Sequence, residues 1–232
     1  MLPCNLNNIT RLCWKTKIGP PRRGVRRVPA PPCGCLPAGT LERVTENTHP
    51  APAARVDAPP AAALARAESL ILEIPDYPSP GILFRDITPL LADGPALRAT
   101  VEALIAPFAG AYDVIAGLEA RGFLLASAAA YASGAGLMPI RKAGKLPRPA
   151  AKVSYALEYG TAEVEAHVDF PQGTRVLVID DVLATGGTLV AARRLLESLG
   201  YAVAGTAVLF EIDGLGGRDA VGDPELHTVF RS

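Results

Sequence analysis

Residues 176–189 read Val176-Leu177-Val178-Ile179-Asp180-Asp181-Val182-Leu183-Ala184-Thr185-Gly186-Gly187-Thr188-Leu189. The run over residues 175–180 is aliphatic and β-branched with little alternation, which is typical of a strand covered on both faces of a parallel sheet. Residues 188–199 then show a helical pattern closed by Gly200, and residues 203–210 form the next strand candidate. This order predicts right-handed crossovers and a doubly wound α/β sheet, with a ligand site at the carboxyl ends of its strands.

The loop at this strand end has the composition of an anion-binding cradle. Gly186 and Gly187 let the backbone approach a ligand without a side-chain clash, so consecutive N–H groups can point into one concavity. Thr185 and Thr188 add hydroxyl donors, and the following helix adds the positive end of its dipole. The loop, which begins at Ala184, is too short for a Walker loop and lacks its lysine. It therefore suits a terminal monophosphate better than a nucleoside triphosphate.

Two acidic residues precede the cradle. Asp180 and Asp181 stand where we expect the strand to give way to a loop, so both carboxylates should project toward a ligand. Two adjacent acceptors match the two adjacent hydroxyls of a ribose whose 5′-phosphate lies in the cradle. Each residue alone could equally belong to a solvated turn with a helix cap, but the joint pattern favours a ribose 5-phosphate site.

The rest of the domain alternates helices and strands. Helical patterns cover residues 61–72, 94–108 and 123–133, and strand candidates cover 113–117 and 137–140. Residues 74–86 form an extended stretch punctuated by proline and glycine. Residues 141–160 are rich in Lys, Arg, Pro and Gly without a clear period, which predicts a long mobile loop of functional importance.

The first sixty residues differ from the remainder. They hold nine Lys or Arg against three Asp or Glu, a net charge of +6, so the remainder carries −6. The segment contains proline clusters and shows no sustained helical or strand periodicity. We therefore expect a disordered extension over residues 1–60 and a folded domain over residues 61–232. A transit peptide, an interaction tail and translated upstream sequence remain open as explanations.

Charge and cysteine content narrow the class of protein. A mildly acidic domain argues against nucleic acid as its main partner. All four cysteines lie in the extension, where the Cys33-Gly34-Cys35 spacing is too tight for a zinc half-site, and the scattered His49, His167 and His227 suggest no metal site. No apolar run is long enough to span a bilayer and no secretory signal is evident, so a cytoplasmic protein without a membrane partner is expected.

The strand, acidic pair and Thr-Gly-Gly-Thr loop resemble the signature of the type I phosphoribosyltransferases. Further segments resemble the adenine-using members of that superfamily across residues 61–232. These segments are Ile74-Pro75-Asp76-Tyr77-Pro78, Gly81-Ile82-Leu83-Phe84-Arg85-Asp86-Ile87-Thr88-Pro89, Gly117-Leu118-Glu119-Ala120-Arg121-Gly122-Phe123, Pro139-Ile140-Arg141-Lys142-Ala143-Gly144-Lys145-Leu146-Pro147 and Ser154-Tyr155-Ala156-Leu157-Glu158-Tyr159-Gly160. The resemblance implies a mainly parallel sheet with a small N-terminal hood and a mobile loop. It also implies the reaction of adenine with 5-phosphoribosyl 1-pyrophosphate to give AMP and pyrophosphate, in purine salvage.

The resemblance also implies roles for single residues. Arg121 would contact the pyrophosphate, after a strained peptide that can be cis, and Glu158 would handle the adenine proton as the loop closes. Phe84 would stack on the base, with the backbone around Leu83 and Arg85 reading its edge. The remaining pyrophosphate contacts would come from Lys142, Lys145 and Tyr159. Mg²⁺ would be held mainly by pyrophosphate and ribose oxygens, without a cluster of protein ligands, and the enzyme would be a homodimer.

Two other functions remain to be weighed at this point. The acceptor could be another purine, such as hypoxanthine or xanthine, which a panel of bases would decide. A non-catalytic sensor of 5-phosphoribosyl 1-pyrophosphate would lack Glu158 or Arg121 and would carry a DNA-binding domain. Both residues are present, and residues 1–60 show no helix-turn-helix pattern.

Overall fold

The computed structural model describes residues 50–231 except Ile82, Arg148, Ala150 and residues 158–159, with backbone alone at 155–157 and 160–162. Within this part the helices are α1 Ala61–Ser69, α2 Thr88–Ala92, α3 Gly94–Ile105, α4 Gly122–Ser133, α5 Gly187–Ser198 and α6 Gly217–Val221. The strands are β1 Leu72–Pro75, β2 Leu83–Asp86, β3 Val114–Leu118, β4 Gly136–Lys142, β5 Ala151–Leu157, β6 Gly160–Ala166, β7 Arg175–Leu183, β8 Ala202–Glu211 and β9 Leu226–Arg231.

Seven strands form the central sheet in the order β5-β6-β4-β3-β7-β8-β9. Strand β3 pairs parallel with β4 and β7, and β8 pairs parallel with β7 and β9. Strand β6 pairs antiparallel with both β4 and β5. This confirms the α/β class with a doubly wound, mainly parallel sheet. The carboxyl ends of β3, β4 and β7 therefore meet at one edge of the sheet.

Helices cover both faces of the sheet, which explains why β7 is apolar from Val176 to Ile179. Leu177 and Ile179 pack in one buried cluster with residues of α3 and α4, and Val176 and Val178 pack in another with residues of α5. Because neither face of β7 meets water, its sequence shows no polar alternation.

The two-stranded sheet of β1 and β2 lies outside the central sheet and corresponds to the expected hood. Its strands pair antiparallel, with Ile74 opposite Phe84 and Glu73 opposite Arg85. Sequence alone predicted only an extended stretch over residues 74–86, because four-residue strands whose side chains are largely exposed or half-buried leave a weak alternation.

The interval predicted as a loop over residues 141–160 contains regular structure. Strand β5 occupies residues 151–157, and Lys152 and Ser154 are exposed on it while Ala151 and Val153 are half-buried. The hairpin of β5 and β6 completes the sheet beside β4. The prediction of a structureless stretch was wrong there, because the weak alternation of a half-buried edge hairpin was masked by basic and proline residues.

Three further elements were absent from the sequence reading: α2, α6 and the edge strand β9. The first two are helices of five residues each, too short to show a helical period. None of the helices in residues 50–231 is long and apolar enough to cross a membrane.

Candidate active site

The cradle predicted at the carboxyl end of β7 lines a cavity of about 320 Å³. Gly186 is the N-cap residue of α5 with a φ of 80°, and no side chain of the described residues caps the helix. The first N–H groups of α5 are thus available to an anion, as the sequence suggested. The structure brings together at this cavity Asp180, Asp181, Ala184, Thr185, Gly186, Gly187 and Thr188.

The cradle is supported from behind by the N-terminus of α6. A Cβ atom added to Gly217 would lie 2.0 Å from the carbonyl oxygen of Ala184, and one added to Gly186 would lie 2.7 Å from the carbonyl oxygen of Gly217. The two backbone segments can approach so closely only because both positions are glycine. The sequence analysis had not connected Gly217 with the site.

The two aspartates reach this cavity in a way that corrects the expectation. Strand β7 does not end at Asp180 but continues to Leu183, where it still pairs with β8. Asp180 and Asp181 therefore lie within the last part of the strand, and a Cβ atom added to Gly122, the first residue of α4, would lie 2.8 Å from Oδ1 of Asp180. Both carboxylates line the cavity at this end of β7.

The electrostatics of the two aspartates are unequal. Burial, reinforced by the neighbouring charge of Asp181, raises the pKa of Asp180 well above its usual value. Asp180 also accepts a 2.9 Å hydrogen bond at Oδ1 from the backbone N–H of Asp181. The site therefore favours one full negative charge over two.

Arg121 lies between the acidic pair and the hood. Its Nη2 atom is 2.6 Å from Oδ2 of Asp181, and its Nη1 atom donates a 3.2 Å hydrogen bond to the carbonyl oxygen of Arg85. The guanidinium carbon also lies 5.0 Å from the ring centre of Phe84. The turn that carries Arg121 contains a cis peptide bond between Glu119 and Ala120. Arg121 therefore connects three residues that the sequence analysis had placed in two substrate subsites.

Phe84 borders a second, smaller cavity of about 140 Å³ next to Arg121 and Asp181. Tyr77 packs edge-on against the Phe84 ring at a centroid distance of 5.2 Å. The side chain of Arg85 turns away from this ring, pairs with Glu73 and stacks on Phe210 with 4.9 Å to its centroid. Sequence reasoning missed Phe210 and Ile212, which line the same cavity from the end of β8. They read only as core residues of a strand.

Glu119 is a further residue, which the sequence analysis named only as part of a motif without giving it a role. Its carboxylate lines the larger cavity, pairs with Nζ of Lys145 and accepts a 3.1 Å hydrogen bond from the backbone N–H of Lys142. Burial alone would raise the pKa of Glu119, but these hydrogen bonds and the charge of Arg141 lower it below its ordinary value. Lys142 lines the cavity, and Lys145 reaches its edge through Glu119.

Glu158 and Tyr159, predicted as the proton-handling residue and a pyrophosphate contact, lie outside the described residues. Within the described part of the chain, no group of three or more His, Cys, Asp or Glu side chains is placed to hold a metal ion. The geometry thus joins two subsites: an anion cradle with a carboxylate pair, and an aromatic cavity under the hood.

Known proteins resemble this chain over most of its length. Residues 91–225 match the model of the phosphoribosyl transferase domain. An adenine phosphoribosyltransferase from Clavibacter sepedonicus is 53% identical over 188 residues, which cover 81% of this chain and 98% of the relative.

Solved structures of adenine phosphoribosyltransferases give the same result. The crystal structure from Rhodothermus marinus has a TM-score of 0.69 at 44% identity and covers 75% of this chain and 100% of its own. The structure from Saccharomyces cerevisiae, complexed with adenine and D-2,5-dideoxy-2,5-imino-altritol 1,6-bisphosphate, has a TM-score of 0.69 at 35% identity and covers 73% of this chain and 99% of its own.

Proposed function

The chain belongs to the adenine phosphoribosyltransferases, and on that premise we propose that the two joined cavities transfer the 5-phosphoribosyl group from 5-phosphoribosyl 1-pyrophosphate to adenine, giving AMP and pyrophosphate. One observation supports the assignment of the residues most directly. Arg121 contacts the ribose-side carboxylate of Asp181 and the base-side ring of Phe84 at once, so the donor and acceptor subsites adjoin. The named relatives favour adenine over another purine acceptor and an enzyme over a sensor.

The donor subsite is the cradle with its carboxylate pair. The 5′-phosphate binds the N–H groups and hydroxyls of residues 184–188, where the dipole of α5 favours negative charge. The ribose hydroxyls donate to Asp180 and Asp181. Burial raises the pKa of Asp180, so its carboxyl group binds a proton more readily than an ordinary aspartate does.

The leaving group meets the basic residues at the edge of the larger cavity. Arg121, Lys142 and Lys145 neutralise the pyrophosphate as the bond to the anomeric carbon breaks and its electron pair departs with the oxygen. Because Arg121 contacts Asp181, donor binding requires its guanidinium to exchange that carboxylate for pyrophosphate oxygens. Tyr159 adds a further contact in this proposal.

The acceptor subsite is the cavity beside Phe84. Adenine stacks on this ring, while the backbone of Leu83 and Arg85 presents hydrogen-bonding groups to its edge. The base nitrogen forms the new bond to the anomeric carbon, and its proton passes to Glu158. Phe210 and Ile212 close the cavity on the side of β8 and exclude water.

The side chains that line the larger cavity are of the kind that can bind Mg²⁺. Asp180, Asp181 and Glu119 supply carboxylate oxygens, which this ion prefers, although they do not form a closed ligand cage. When bound, the ion would neutralise part of the pyrophosphate charge, with most of its ligands coming from the substrate. Asp180 and Asp181 are the residues that would hold it to the protein, directly or through the diol.

A homodimer is the assembly we propose, and the exposed face of α4 supports it. Tyr131 is 92% exposed and Leu124, on the same helix face, is 54% exposed. Tyr131 also borders a groove of about 340 Å³ between α3 and α4. A projecting ring beside a groove is what a twofold interface requires, since the same surface must serve both partners. Tyr131→Asp should shift the sedimentation coefficient toward that of a monomer, and an unchanged value would exclude this face.

The cytoplasm remains the predicted location of the protein.

The experiment that tests the activity is a spectrophotometric panel of purine bases with 5-phosphoribosyl 1-pyrophosphate. AMP formation from adenine, with little product from hypoxanthine or xanthine, is expected. Glu158→Gln should lower kcat by about 100-fold or more, the usual worth of a general acid or base, while changing the KM of either substrate far less. Absence of turnover with adenine would refute the function, and full turnover of Glu158→Gln would refute the proton-handling role alone.

A further inference from the structure

Glu165 is a buried carboxylate on β6 that no part of the proposed mechanism uses. It has no exposed surface, and it lies opposite Arg141 of β4 and Lys152 of β5 in the antiparallel register. A buried carboxylate is costly unless hydrogen bonds and charges compensate it. The contacts that compensate Glu165 therefore indicate what it does.

Those contacts come from the turn that follows β4. Oε1 of Glu165 accepts hydrogen bonds from the backbone N–H groups of Lys145 at 2.8 Å and Leu146 at 2.6 Å, and Nζ of Lys152 lies 3.4 Å from Oε2. The hydrogen bond from Leu146 is the main reason that the pKa of Glu165 falls to about 2. The carboxylate is thus ionised at any pH at which the enzyme would be assayed, and it fixes two consecutive backbone groups.

Lys145 is held from its other side as well. Arg141 donates a 3.2 Å hydrogen bond from Nη1 to the carbonyl oxygen of Lys145, while the Lys145 side chain extends to Glu119 at the larger cavity. Glu165 is not among the residues that line that cavity. The hydrogen bonds of its side chain lead to the pyrophosphate subsite through the backbone of Lys145.

We propose that Glu165 is a positioning residue for the phosphoribosyl transfer: by fixing the turn at residues 144–146, it keeps the Lys145 ammonium group at the edge of the pyrophosphate subsite. This inference rests on the role given to Lys145 in the proposed function. Glu165 touches neither substrate, so its loss affects the binding of the pyrophosphate-bearing donor and of pyrophosphate, and leaves the adenine subsite intact.

The test uses the full chain with Glu165→Ala, Glu165→Gln, Lys145→Met and the double variant Glu165→Ala/Lys145→Met. Loss of a charge-assisted contact predicts that Glu165→Ala raises the KM for 5-phosphoribosyl 1-pyrophosphate by about 10-fold, with the KM for adenine changed by less than about twofold. Glu165→Gln keeps an oxygen for both N–H groups and should restore most of the affinity, with a rise of about threefold. The double variant should be no worse than Lys145→Met alone, because both changes act on one group.

Lys152→Met is the matched control, since it removes the charged partner of Glu165 and leaves its hydrogen bonds to the turn. It should keep the wild-type KM for both substrates. Hydrogen exchange of the peptide over residues 143–147 should accelerate in Glu165→Ala and stay near wild type in Lys152→Met. An unchanged donor KM in Glu165→Ala, or effects of Glu165→Ala and Lys145→Met that multiply, would overturn the proposal.

Two measurements keep the test decisive if Glu165→Ala does not fold. Glu165→Gln then takes its place: a threefold rise in donor KM that disappears in the Lys145→Met background supports the proposal, and an unchanged KM overturns it. Calorimetric titration with inorganic pyrophosphate tests the positioning role of Glu165 separately from the proposed enzymatic function. If the wild-type chain makes no AMP, the proposed function fails, while pyrophosphate affinity and hydrogen exchange still report on Glu165.

Discussion

At the scale of single residues, the proposed mechanism gives the carboxylate of Asp181 two partners, Arg121 and the ribose. Asp181 is only 8% exposed and holds the guanidinium at 2.6 Å, although the proposed mechanism gives it to the ribose. A buried charge that must change partners requires its new partner to supply equivalent hydrogen bonds. In the proposed mechanism the ribose hydroxyls take the place of Arg121 as partners of Asp181. The pyrophosphate oxygens then become the partners of Arg121.

We therefore expect Asp181→Asn to weaken the donor subsite specifically. Loss of a charged acceptor should raise the KM for 5-phosphoribosyl 1-pyrophosphate by about 10-fold or more, since hydrogen bonds to charged groups contribute about 1.5–3 kcal/mol. The KM for adenine should change far less. Steady-state kinetics with each substrate varied in turn would measure this, and Asp57→Asn, an exposed and distant carboxylate, is the control. Equal weakening of both substrates would contradict the assignment of Asp181 to the ribose.

A pH effect on stability is expected from His227, whose Nε2 atom lies 3.0 Å from the carbonyl oxygen of Ala103. Burial, with a contribution from the charge of Arg218, lowers the pKa of His227 from 6.5 in the folded chain. Just below pH 6.5 the unfolded chain then binds more protons than the folded one, so the free energy of unfolding falls as the pH is lowered through this range.

His227→Gln removes the titrating group and keeps a side-chain N–H that can reach the same carbonyl. Between about pH 8 and about pH 5.5 the wild type should lose more stability than this variant, because only the wild type must keep an imidazole neutral on folding. Urea denaturation at the two pH values would measure the difference. Parallel losses in both proteins would show that His227 does not contribute.

At the scale of elements, the cradle depends on α6, a helix of five residues whose first residue is Gly217. The carbonyl oxygen of Ala184 occupies the place where a side chain at position 217 would begin. The cradle backbone can therefore not relax toward α6, and its N–H groups are held in one arrangement. A short helix that carries no proposed catalytic residue thus shapes the phosphate subsite.

Gly217→Ala should accordingly damage both stability and donor binding. A Cβ atom placed 2.0 Å from the Ala184 oxygen must displace backbone, and overpacking of this kind costs about 1–3 kcal/mol. Gly94→Ala is the matched control, since an added Cβ there meets nothing within 4 Å. Thermal unfolding and the KM for the donor would be measured for both variants. A Gly217→Ala enzyme with wild-type stability and donor KM would show that α6 can shift to accommodate the added methyl group.

At the scale of the whole molecule, the domain takes in residues that precede the expected start at Ala61. Ala53 is 6% exposed and donates its N–H to the carbonyl oxygen of Tyr112 at 3.1 Å, and Ala54 donates to that of Ser133 at 2.8 Å. Val56 packs against the same core cluster. A chain segment before α1 is therefore hydrogen-bonded to the end of α4 and to the loop that precedes β3.

Truncation separates the contribution of residues 50–60 to stability from the contribution of residues 1–49. A chain that starts at Pro50 should keep the stability and kinetics of the full chain. One that starts at Ala61 should lose about 1–4 kcal/mol, since two backbone hydrogen bonds and the burial of Ala53 and Val56 disappear. Chemical denaturation of the three chains would measure this. A Pro50 chain less stable than the full chain would assign a stabilising role to residues 1–49.

The sequence by itself determined the features that depend on neighbours along the chain. The buried strand, the glycine loop and the following helix are contiguous, so residues 175–199 predicted both the parallel sheet and a phosphate cradle. The motifs around Phe84, Arg121 and Glu158 likewise carried the resemblance to the adenine branch of the superfamily, because each motif is a short contiguous run.

Only the tertiary structure decided which distant residues share a contact. Phe210 joins Arg85 and the base cavity, Gly217 supports Ala184, and Glu165 holds the turn at Lys145; these pairs are separated by tens of residues and come together through strand order alone. Local sequence also gave the wrong end for β7, because pairing with β8 extends the strand through two acidic residues that propensity would place in a loop. Local propensity acts over a few residues, whereas burial and hydrogen bonding across a sheet are properties of the assembled fold.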